Sequence, residues 1–338
     1  MVLGPVRRLT ARHVNLLLAI ATVGVFATGL TSWAVGTGWS RWWTFTHATF
    51  GFMMLVLAPA KATGSARKGM RRRRNGRWLS VTFGVLIMVV IGLGVSHSSG
   101  LWVGSGYLSS LWLHLLLAFV TVPFALWHFF SRPLRWRPVN PERRFVLGGA
   151  AAVGLAAVAV GATEVGVRTV GLAGADRRFT GSHEVASHEP DAMPAVSWLN
   201  DAAPALDPAT WAVNVGGERF MVGDLAARAE PVDAVLDCTG GWWSEQTWQV
   251  VSVADLLAAD ARSFDVISAT GYRRRFPMSD AATTYLAIGY EGRPLRRGHG
   301  APARIVAPGR RGPWWVKWVV AIEPTNTPWW AQLPFPAT

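Results

Sequence analysis

The stretch VLDCTGGWWSEQTWQVVSVADLL, residues 235–257, contains the one cysteine of this 338-residue chain, Cys238. A lone cysteine has no partner for an internal disulfide, so it is a buried filler, a reactive thiol or a metal ligand. A filler is the commonest of these. Here the apolar run Ala234–Leu236 predicts a strand that ends at Cys238, and Gly240 and Gly241 predict a loop directly after it. Because paired glycines let a backbone approach a bulky group, the surroundings favour a ligand over a filler.

The first half of the chain is both apolar and basic. Apolar side chains make up 51% of the chain and 19 residues are Trp, more than in an ordinary soluble protein. Residues 1–162 hold 17 of the 33 basic residues and one of the 20 acidic residues, so the net charge of +13 arises there. Basic charge between apolar segments is typical of the cytoplasmic loops of membrane proteins rather than of a phosphate-binding groove. We therefore expect no nucleic-acid partner.

Five apolar stretches approach or reach the roughly 17 to 25 residues that cross a bilayer as a helix. They are residues 14–32, 44–60, 79–97, 109–130 and 145–162. Basic residues cluster before the first stretch, between the second and third, and before the fifth, which predicts a cytoplasmic N-terminus and a second half outside the membrane. We predict a four-helix transmembrane domain at residues 1–140, a fifth transmembrane helix at 141–163, a linker at 164–197 and an α+β domain at 198–338.

The fifth stretch differs from the others. It begins with the pair Arg143 and Arg144, and Ala, Gly, Val and Leu dominate the rest. A weakly hydrophobic segment behind paired arginines is typical of a signal for the twin-arginine translocase, which exports domains already folded around a cofactor. The alternative is that the two arginines only anchor the helix at the cytoplasmic surface. If the signal is real, the outer domain contains a cofactor.

Histidine inside a bilayer is costly and predicts a functional site. His114 and His128 share one face of the fourth stretch, about 21 Å apart along the axis. His47 is level with His114 at the outer end, and His13 is level with His128 at the inner end. Facing imidazoles predict one or two b-type haems in a four-helix bundle, with His97 as a rival to His47. The alternative is that these histidines only hydrate at the membrane surface. The opening ARHVNLLLAIATVGVFATGL also resembles the first span of bacterial di-haem b-type cytochromes.

The last third of the chain carries five short phrases in a fixed order. They are Leu286-Ala287, Gly292–Leu295, His299–Arg304, Pro308–Gly312 and Lys317-Trp318. In combination they resemble the molybdopterin-binding domain of the sulfite oxidase family, which includes the catalytic subunit of bacterial methionine sulfoxide reductase. The resemblance covers roughly Trp198 to Pro324, and it implies a molybdenum–molybdopterin cofactor.

The resemblance also implies roles for individual residues. Cys238 becomes the thiolate ligand of molybdenum, and a soft thiolate suits a high-valent metal. His299, Arg304 and Lys317 match positions that hold the pyranopterin and its phosphate, an anion that needs charged donors. Asn200 alone matches the Arg-Asn-His type motif that opens the domain, and we expect it to contact the cofactor. The alternative makes Arg304 and Lys317 solvated strand charges.

Two departures from the family put sulfite as the substrate in doubt. The tyrosine that sulfite oxidases place beside the metal has no clear match, and the tail offers Trp329 and Trp330 instead. No immunoglobulin-like dimerisation domain follows the matched region. Residues Arg273–Arg275 either line the approach of an anionic substrate or face solvent, and the sequence favours solvent.

Together these features predict a multi-domain membrane protein, with an all-α transmembrane bundle followed by an α+β sulfite-oxidase-like molybdopterin domain. We expect an outward-facing oxidoreductase of the cytoplasmic membrane that transfers an oxygen atom to or from a small sulfur or nitrogen oxide, or an oxidised side chain. Haem would carry electrons between this site and the quinone pool. The alternatives are a haem-free anchor with a separate redox partner, and an inactive cofactor fold that only binds.

Overall fold

The computed structural model describes residues 6, 9–73, 75–104, 108–132, 143–197 and 201–335. The chain divides into two compact units. Residues 1–33 and 39–181 form the first unit, and residues 34–38 and 182–338 form the second. The boundary at Gly181 and Ser182 lies inside the segment 164–197 that the sequence predicts as a linker.

The first unit is helical, and each of the five apolar stretches lies in a helix. The long helices are α1 (Ala11–Ala34), α2 (Ser40–Lys61), α4 (Arg77–Ser99), α5 (Ser110–Ser131) and α6 (Arg143–Val170); a π-helical turn at Ala62–Ala66 and the short α3 (Arg67–Arg71) connect α2 to α4. Among the described residues, α1, α4, α5 and α6 are long and apolar enough to cross a membrane. Helix α2 has the length, but Arg41, His47 and three threonines make it more polar. The fifth span therefore stays a prediction.

The core of the first unit joins α1, α2 and α6. Leu17 and Ala21 of α1 and Leu57 of α2 are buried against Ala152 and Ala156 of α6. Small residues on α6 let neighbouring backbones come close, as is usual between helices in membranes. Helix α6 also continues to Val170, well past the predicted end of the fifth span.

The second unit is built on two sheets, whose strands alternate with short turns. The strands are β1 (His183–Glu184), β2 (Ala212–Val215), β3 (Glu218–Met221), β4 (Glu230–Asp237), β5 (Trp242–Ser252), β6 (Ser263–Ser268), β7 (Arg273–Pro277), β8 (Tyr285–Tyr290), β9 (Arg293–Pro294), β10 (Arg304–Val306) and β11 (Val319–Thr325); the short helices are α7 (Val222–Ala226) and α8 (Val253–Leu256). One sheet has the order β1-β5-β8-β10, with β4 on the other edge of β5 and β9 beside β8; the second has the order β3-β2-β11-β6-β7.

Most sheet pairs are antiparallel, and inward-facing residues of both sheets form one hydrophobic core. Trp248 of β5, Leu286 of β8 and Ile305 of β10 are fully buried there. The short strands and turns agree with the α+β pattern that the sequence predicts from residue 198 onward.

The start of the second unit differs from the prediction. The segment expected to be a linker contains β1, which pairs in parallel with the beginning of β5. Backbone amides of His183, Val185 and His188 continue this pairing by donating to Gly241, Trp243 and Glu245. The charged residues and prolines of this segment mask its short extended run, because a two-residue strand has no periodicity of its own.

Candidate cofactor site

Cys238 lies where strand β4 ends, as the sequence predicts. Its backbone is fixed by the next strand: the Cys238 amide donates to Trp242 O at 2.8 Å, and the Gly241 amide donates to Cys238 O at 3.2 Å. Gly241 has φ +88°, a conformation that glycine adopts without strain. The chain thereby turns tightly behind Cys238 and holds its side chain at the edge of the loop.

The Cys238 thiol is half-buried and free. Burial raises the pKa of this thiol, while the Gly240 amide, which lies 3.3 Å from Sγ, and the charges of Arg311 and Lys317 act in the opposite direction. A thiol with a raised pKa is a poor nucleophile in solution. A bound metal would remove its proton outright, so the arrangement suits a ligand better than a reactive thiol.

Arg311 and Asp237 hold the loop that carries Cys238. The Arg311 guanidinium donates from Nη2 to Cys238 O at 2.9 Å, and its Nη1 lies 3.6 Å from Asp237 Oδ1. Ser182 donates to the same carboxylate oxygen at 2.7 Å. Arg311 and Asp237 are both buried. Neither residue was predicted from the sequence, although Arg311 lies inside the motif Pro308–Gly312.

Arg304 is a buried cation that no carboxylate neutralises among the described residues. Its guanidinium donates to His299 O at 3.0 Å and to Trp315 O at 3.2 Å, and it lies 5.3 Å from the ring centre of Trp248. Burial lowers the pKa of Arg304 to about 10, while Tyr290 and Cys238 act in the opposite direction. A buried cation held only by carbonyls and rings attracts an anion.

Lys317 is the second cation of this site. Its Nζ donates to Gly298 O at 2.6 Å and Val196 O at 2.9 Å. Burial and then the charge of Arg304 lower the pKa of Lys317 to about 7, and Cys238 and Asp201 raise it. Gly300, with φ +110°, lies between these two cations, since a Cβ there would meet Arg304 Cβ at 2.9 Å and Lys317 Cβ at 3.2 Å. The phrase His299–Arg304 and Lys317 therefore converge, as the resemblance implies.

His299 is buried nearby, but both of its ring nitrogens already have protein partners. Nε2 lies 3.0 Å from Met193 O and therefore donates, which leaves Nδ1 to accept from Tyr290 OH at 2.9 Å. Burial, Arg304 and Lys317 lower the pKa of His299 to about 4. A direct bond from His299 to the pterin would require one of these two bonds to be exchanged. In this structure His299 instead positions Tyr290 and the backbone at Met193.

The remaining residues expected near the site, Asn200 and Arg273–Arg275, differ in where the structure places them. Asn200 lies outside the described residues. Of the three consecutive arginines, Arg273 is exposed and Arg275 pairs with Asp265 at 2.7 Å, but Arg274 is fully buried. The expectation that all three face solvent is therefore wrong for Arg274. Strand alternation explains the difference, since Arg274 points inward between two outward neighbours.

The residues present fit a molybdopterin group. One half-buried thiol stands at a fixed strand end; Lys317 lowers the pKa of this thiol, and the thiol in turn raises the pKa of Arg304. That donor set matches a soft ligand for the metal and charged donors for a phosphate. Within the described ranges, no three His, Cys, Asp or Glu side chains are grouped to hold a metal ion by themselves.

In the first unit, the structure brings His47 of α2 and His114 of α5 together. Their ring centres are 5.9 Å apart and the rings are nearly perpendicular, at 80°. Each Nδ1 lies 2.8 Å from a backbone carbonyl, Val25 O for His47 and Val90 O for His114. A carbonyl only accepts, so each Nδ1 carries the hydrogen and each Nε2 keeps its lone pair. Both imidazoles are thus in the tautomer that binds a metal through Nε2.

The other histidines of this unit have different surroundings. His13 packs edge-on against Phe145, and His128 contacts Phe83 and lies 3.3 Å from Ser80 Oγ. The pairing of His13 with His128 stays a prediction. His97 lies 3.1 Å from Gly181 O through Nε2 and 3.3 Å from Ser110 Oγ through Nδ1, so both of its nitrogens are engaged by the protein.

Comparison with known proteins finds a family model that matches most of the second unit. Residues 200–332 match the oxidoreductase molybdopterin binding domain. Among solved structures, the sulfane dehydrogenase SoxCD from Paracoccus pantotrophus matches with 23% identity and a TM-score of 0.34, over 37% of this chain and 40% of that chain. The chain thus spans well under half the length of that structure. A comparison with curated protein sequences finds no match. Residues 200–332 are therefore a molybdopterin-binding oxidoreductase domain, which supports a molybdenum cofactor.

Proposed function

We propose that this protein is a membrane-anchored molybdenum oxidoreductase whose second unit faces outward and exchanges electrons with the quinone pool through b-type haem. The observation that carries the molybdenum site is the grouping of the Cys238 thiol with Arg304 and Lys317, two cations that form no ion pair with a carboxylate among the described residues. When bound, the cofactor supplies two-electron oxygen-atom transfer to or from a small oxide of sulfur or nitrogen or an oxidised side chain.

The chain's own residues hold and orient that group. Cys238 presents its sulfur from a strand end that Trp242 and Arg311 fix, so the metal ligand keeps one position. Arg304 and Lys317 bind the phosphate, which restores the charge balance that their burial disturbs. Asn200, which lies outside the described residues, would contact the cofactor, as the resemblance implies. His299 bonds Tyr290 and the Met193 carbonyl, so it positions these groups instead of contacting the cofactor directly.

Electron transfer rests on His47 and His114. Their Nδ1 bonds leave both Nε2 lone pairs available on neighbouring rings, as the donor pair for one haem iron. His97 is a weaker choice, because both of its nitrogens are used. A second haem on His13 and His128 belongs to the proposal as well. Arg143 and Arg144 at the start of α6 would direct export through the twin-arginine translocase, which puts the cofactor domain outside.

The test is elemental analysis of molybdenum and iron on the full chain, purified in detergent from a host that makes both cofactors. It is combined with reduction of a small sulfoxide or N-oxide by a reduced viologen dye. We expect near one molybdenum and one or two iron atoms per chain, and activity that Cys238→Ser abolishes. Arg273→Gln, on the exposed face of β7, is the control and should change neither.

Other outcomes separate the alternatives. Molybdenum without iron would discard the haem assignments and leave a haem-free anchor with a separate redox partner. Molybdenum with no turnover of any oxide tested would favour a cofactor fold that only binds. Absence of molybdenum from a folded protein would remove the role given to Cys238.

A further inference from the structure

Beside the Cys238 loop, the second unit contains a cavity that none of these roles uses. Its volume is about 360 Å³, and its walls combine arginine and tryptophan side chains. The residues that matter are Arg274, Arg310, Arg311, Trp314, Trp329 and Leu333. Arg311 lines this cavity and also donates to the carbonyl of Cys238 at 2.9 Å, so the cavity adjoins the proposed metal ligand.

The charges around the cavity do not balance. Arg310 pairs with Asp280 at 2.6 Å, and Arg311 lies 3.6 Å from Asp237. Arg274 is 2% exposed, and no carboxylate pairs with it among the described residues. Its Nη1 donates to Leu333 O at 3.0 Å, and its Nε is buried without a hydrogen-bond partner. One buried guanidinium thus keeps an unused donor and an uncompensated positive charge.

The walls of the cavity are flat and apolar. The Arg274 guanidinium lies 4.2 Å from the ring centre of Trp314, and the Arg310 guanidinium lies 4.5 Å from the same ring. Trp329 lies 6.3 Å from Trp314 and 5.4 Å from Arg310. At the rim, Leu333 is 63% exposed. Small inorganic oxyanions gain nothing from such walls, whereas an apolar group does.

We propose that this cavity binds an organic monoanion, with its charged group on Arg274 and its apolar body against Trp314 and Trp329. Arg311 connects the cavity to Cys238, because it lines the cavity and bonds the Cys238 carbonyl. The further step, that the monoanion represents the substrate class of the enzyme, rests on the proposed function. Binding itself does not depend on molybdenum. The expected substrate is then an oxide that is part of an apolar anionic molecule, or that binds beside one, rather than a small inorganic oxide.

The test is binding of 4-fluorobenzenesulfonate to the full chain in a non-ionic detergent, followed by ¹⁹F line broadening. Micelles without protein correct for partitioning into detergent. We expect saturable binding that weakens by about tenfold or more in Arg274→Gln, the scale of a lost charged hydrogen bond. Arg273→Gln, the neighbouring exposed arginine of the same strand, should bind within about twofold of the unchanged protein. Competition should be strong with benzoate and weak with sulfate or neutral methyl phenyl sulfone.

Two further variants keep the test valid if Arg274→Gln unfolds. Arg274→Lys retains the charge but not the planar fork and should give an intermediate affinity, and Trp329→Ala should weaken 4-fluorobenzenesulfonate but leave sulfate unchanged. Equal competition by sulfate or by the neutral sulfone, or equal binding by the Arg274 and Arg273 variants, would overturn the inference. Because Cys238→Ser should still bind the probe, loss of molybdenum and loss of this site are separate results.

Discussion

At the residue scale, Cys238 follows directly on a strand end and is held there by the buried pair of Arg311 and Asp237. A short apolar run followed by two glycines indicates a strand end in any fold, and β4 ends at Asp237. The partners Arg311 and Asp237 come from opposite parts of the domain sequence, so their meeting depends on the sheet rather than on local spacing. The burial of Arg274 also depends on strand pairing. Three consecutive arginines look alike in the sequence, so the sequence does not show which of them faces inward.

A first prediction concerns Gly300, which separates Arg304 from Lys317. Gly300→Ala adds a Cβ 2.9 Å from Arg304 Cβ at a φ of +110°, so strain and crowding act together. We expect the free energy of unfolding to fall by about 2 to 4 kcal/mol. Gly217→Ala is the matched control, because its φ of +97° gives strain but its Cβ would meet nothing within 4 Å. Thermal unfolding of the two variants measures the difference, and equal losses would show that crowding at Gly300 is unimportant.

A second prediction concerns the pH dependence that His299 confers. The folded protein keeps His299 neutral down to its pKa of about 4, whereas the unfolded chain binds a proton below about pH 6.5. The unfolded state therefore binds more protons in this window, and stability falls as pH decreases from 6.5 to 4, by about 2 to 3 kcal/mol from this group. His299→Gln retains a donor and an acceptor but does not titrate. Thermal unfolding from pH 7 to pH 4 should show a shallower decline in the variant; parallel curves would contradict the assignment.

At the scale of elements, hydropathy predicted where the helices lie but not what each helix does. All five long helices coincide with apolar stretches, yet α2 falls outside the group that can span by composition. The polar residues that lower its hydropathy include His47, which faces His114. A polar ligand lowers the mean hydropathy of the helix that carries it. His47 therefore supports the haem proposal and at the same time makes α2 harder to recognise as a membrane span.

The third prediction separates His47 from His97. His47→Ala removes one of the two Nε2 donors proposed for the iron, so we expect the absorption of bis-histidine haem to be lost or converted to a high-spin form. His97→Ala removes a residue whose nitrogens both bond the protein, so the haem spectrum should persist even where stability falls. Reduced-minus-oxidised spectra of the two purified variants measure this. Loss of haem in His97→Ala alone would exchange the two assignments.

At the scale of the whole molecule, charge distribution predicts orientation, and the structure leaves that prediction open. The expectation that the second unit lies outside depends on an odd number of spans, hence on whether α2 crosses. Because Cys238 is the one cysteine of the chain, Cys238→Ser provides a thiol-free background. In that background Glu230→Cys places a thiol on an exposed strand position.

The fourth prediction follows from this background. A membrane-impermeant maleimide added to cells with a permeable outer layer should label Glu230→Cys, because the proposed topology puts the second unit outside. A thiol at Met70, in the basic connection between α2 and α4, should be labelled only after the membrane is broken. The reverse pattern would place the catalytic unit in the cytoplasm, and labelling of both in intact cells would discard the five-span topology.

Strand β1 determines how the chain can be divided. A fragment that starts at residue 198 would lose both β1 and the Ser182 hydroxyl, so the first residues of β5 would lose their backbone partners on one edge, and Asp237 would lose a hydrogen bond beside Cys238. Open strand edges recruit other chains, so this fragment should aggregate on size-exclusion chromatography, whereas one starting at Ser182 should elute as a monomer. The second unit therefore cannot be separated at residue 198, because residues 182–197, which the sequence predicts as a linker, complete its sheet.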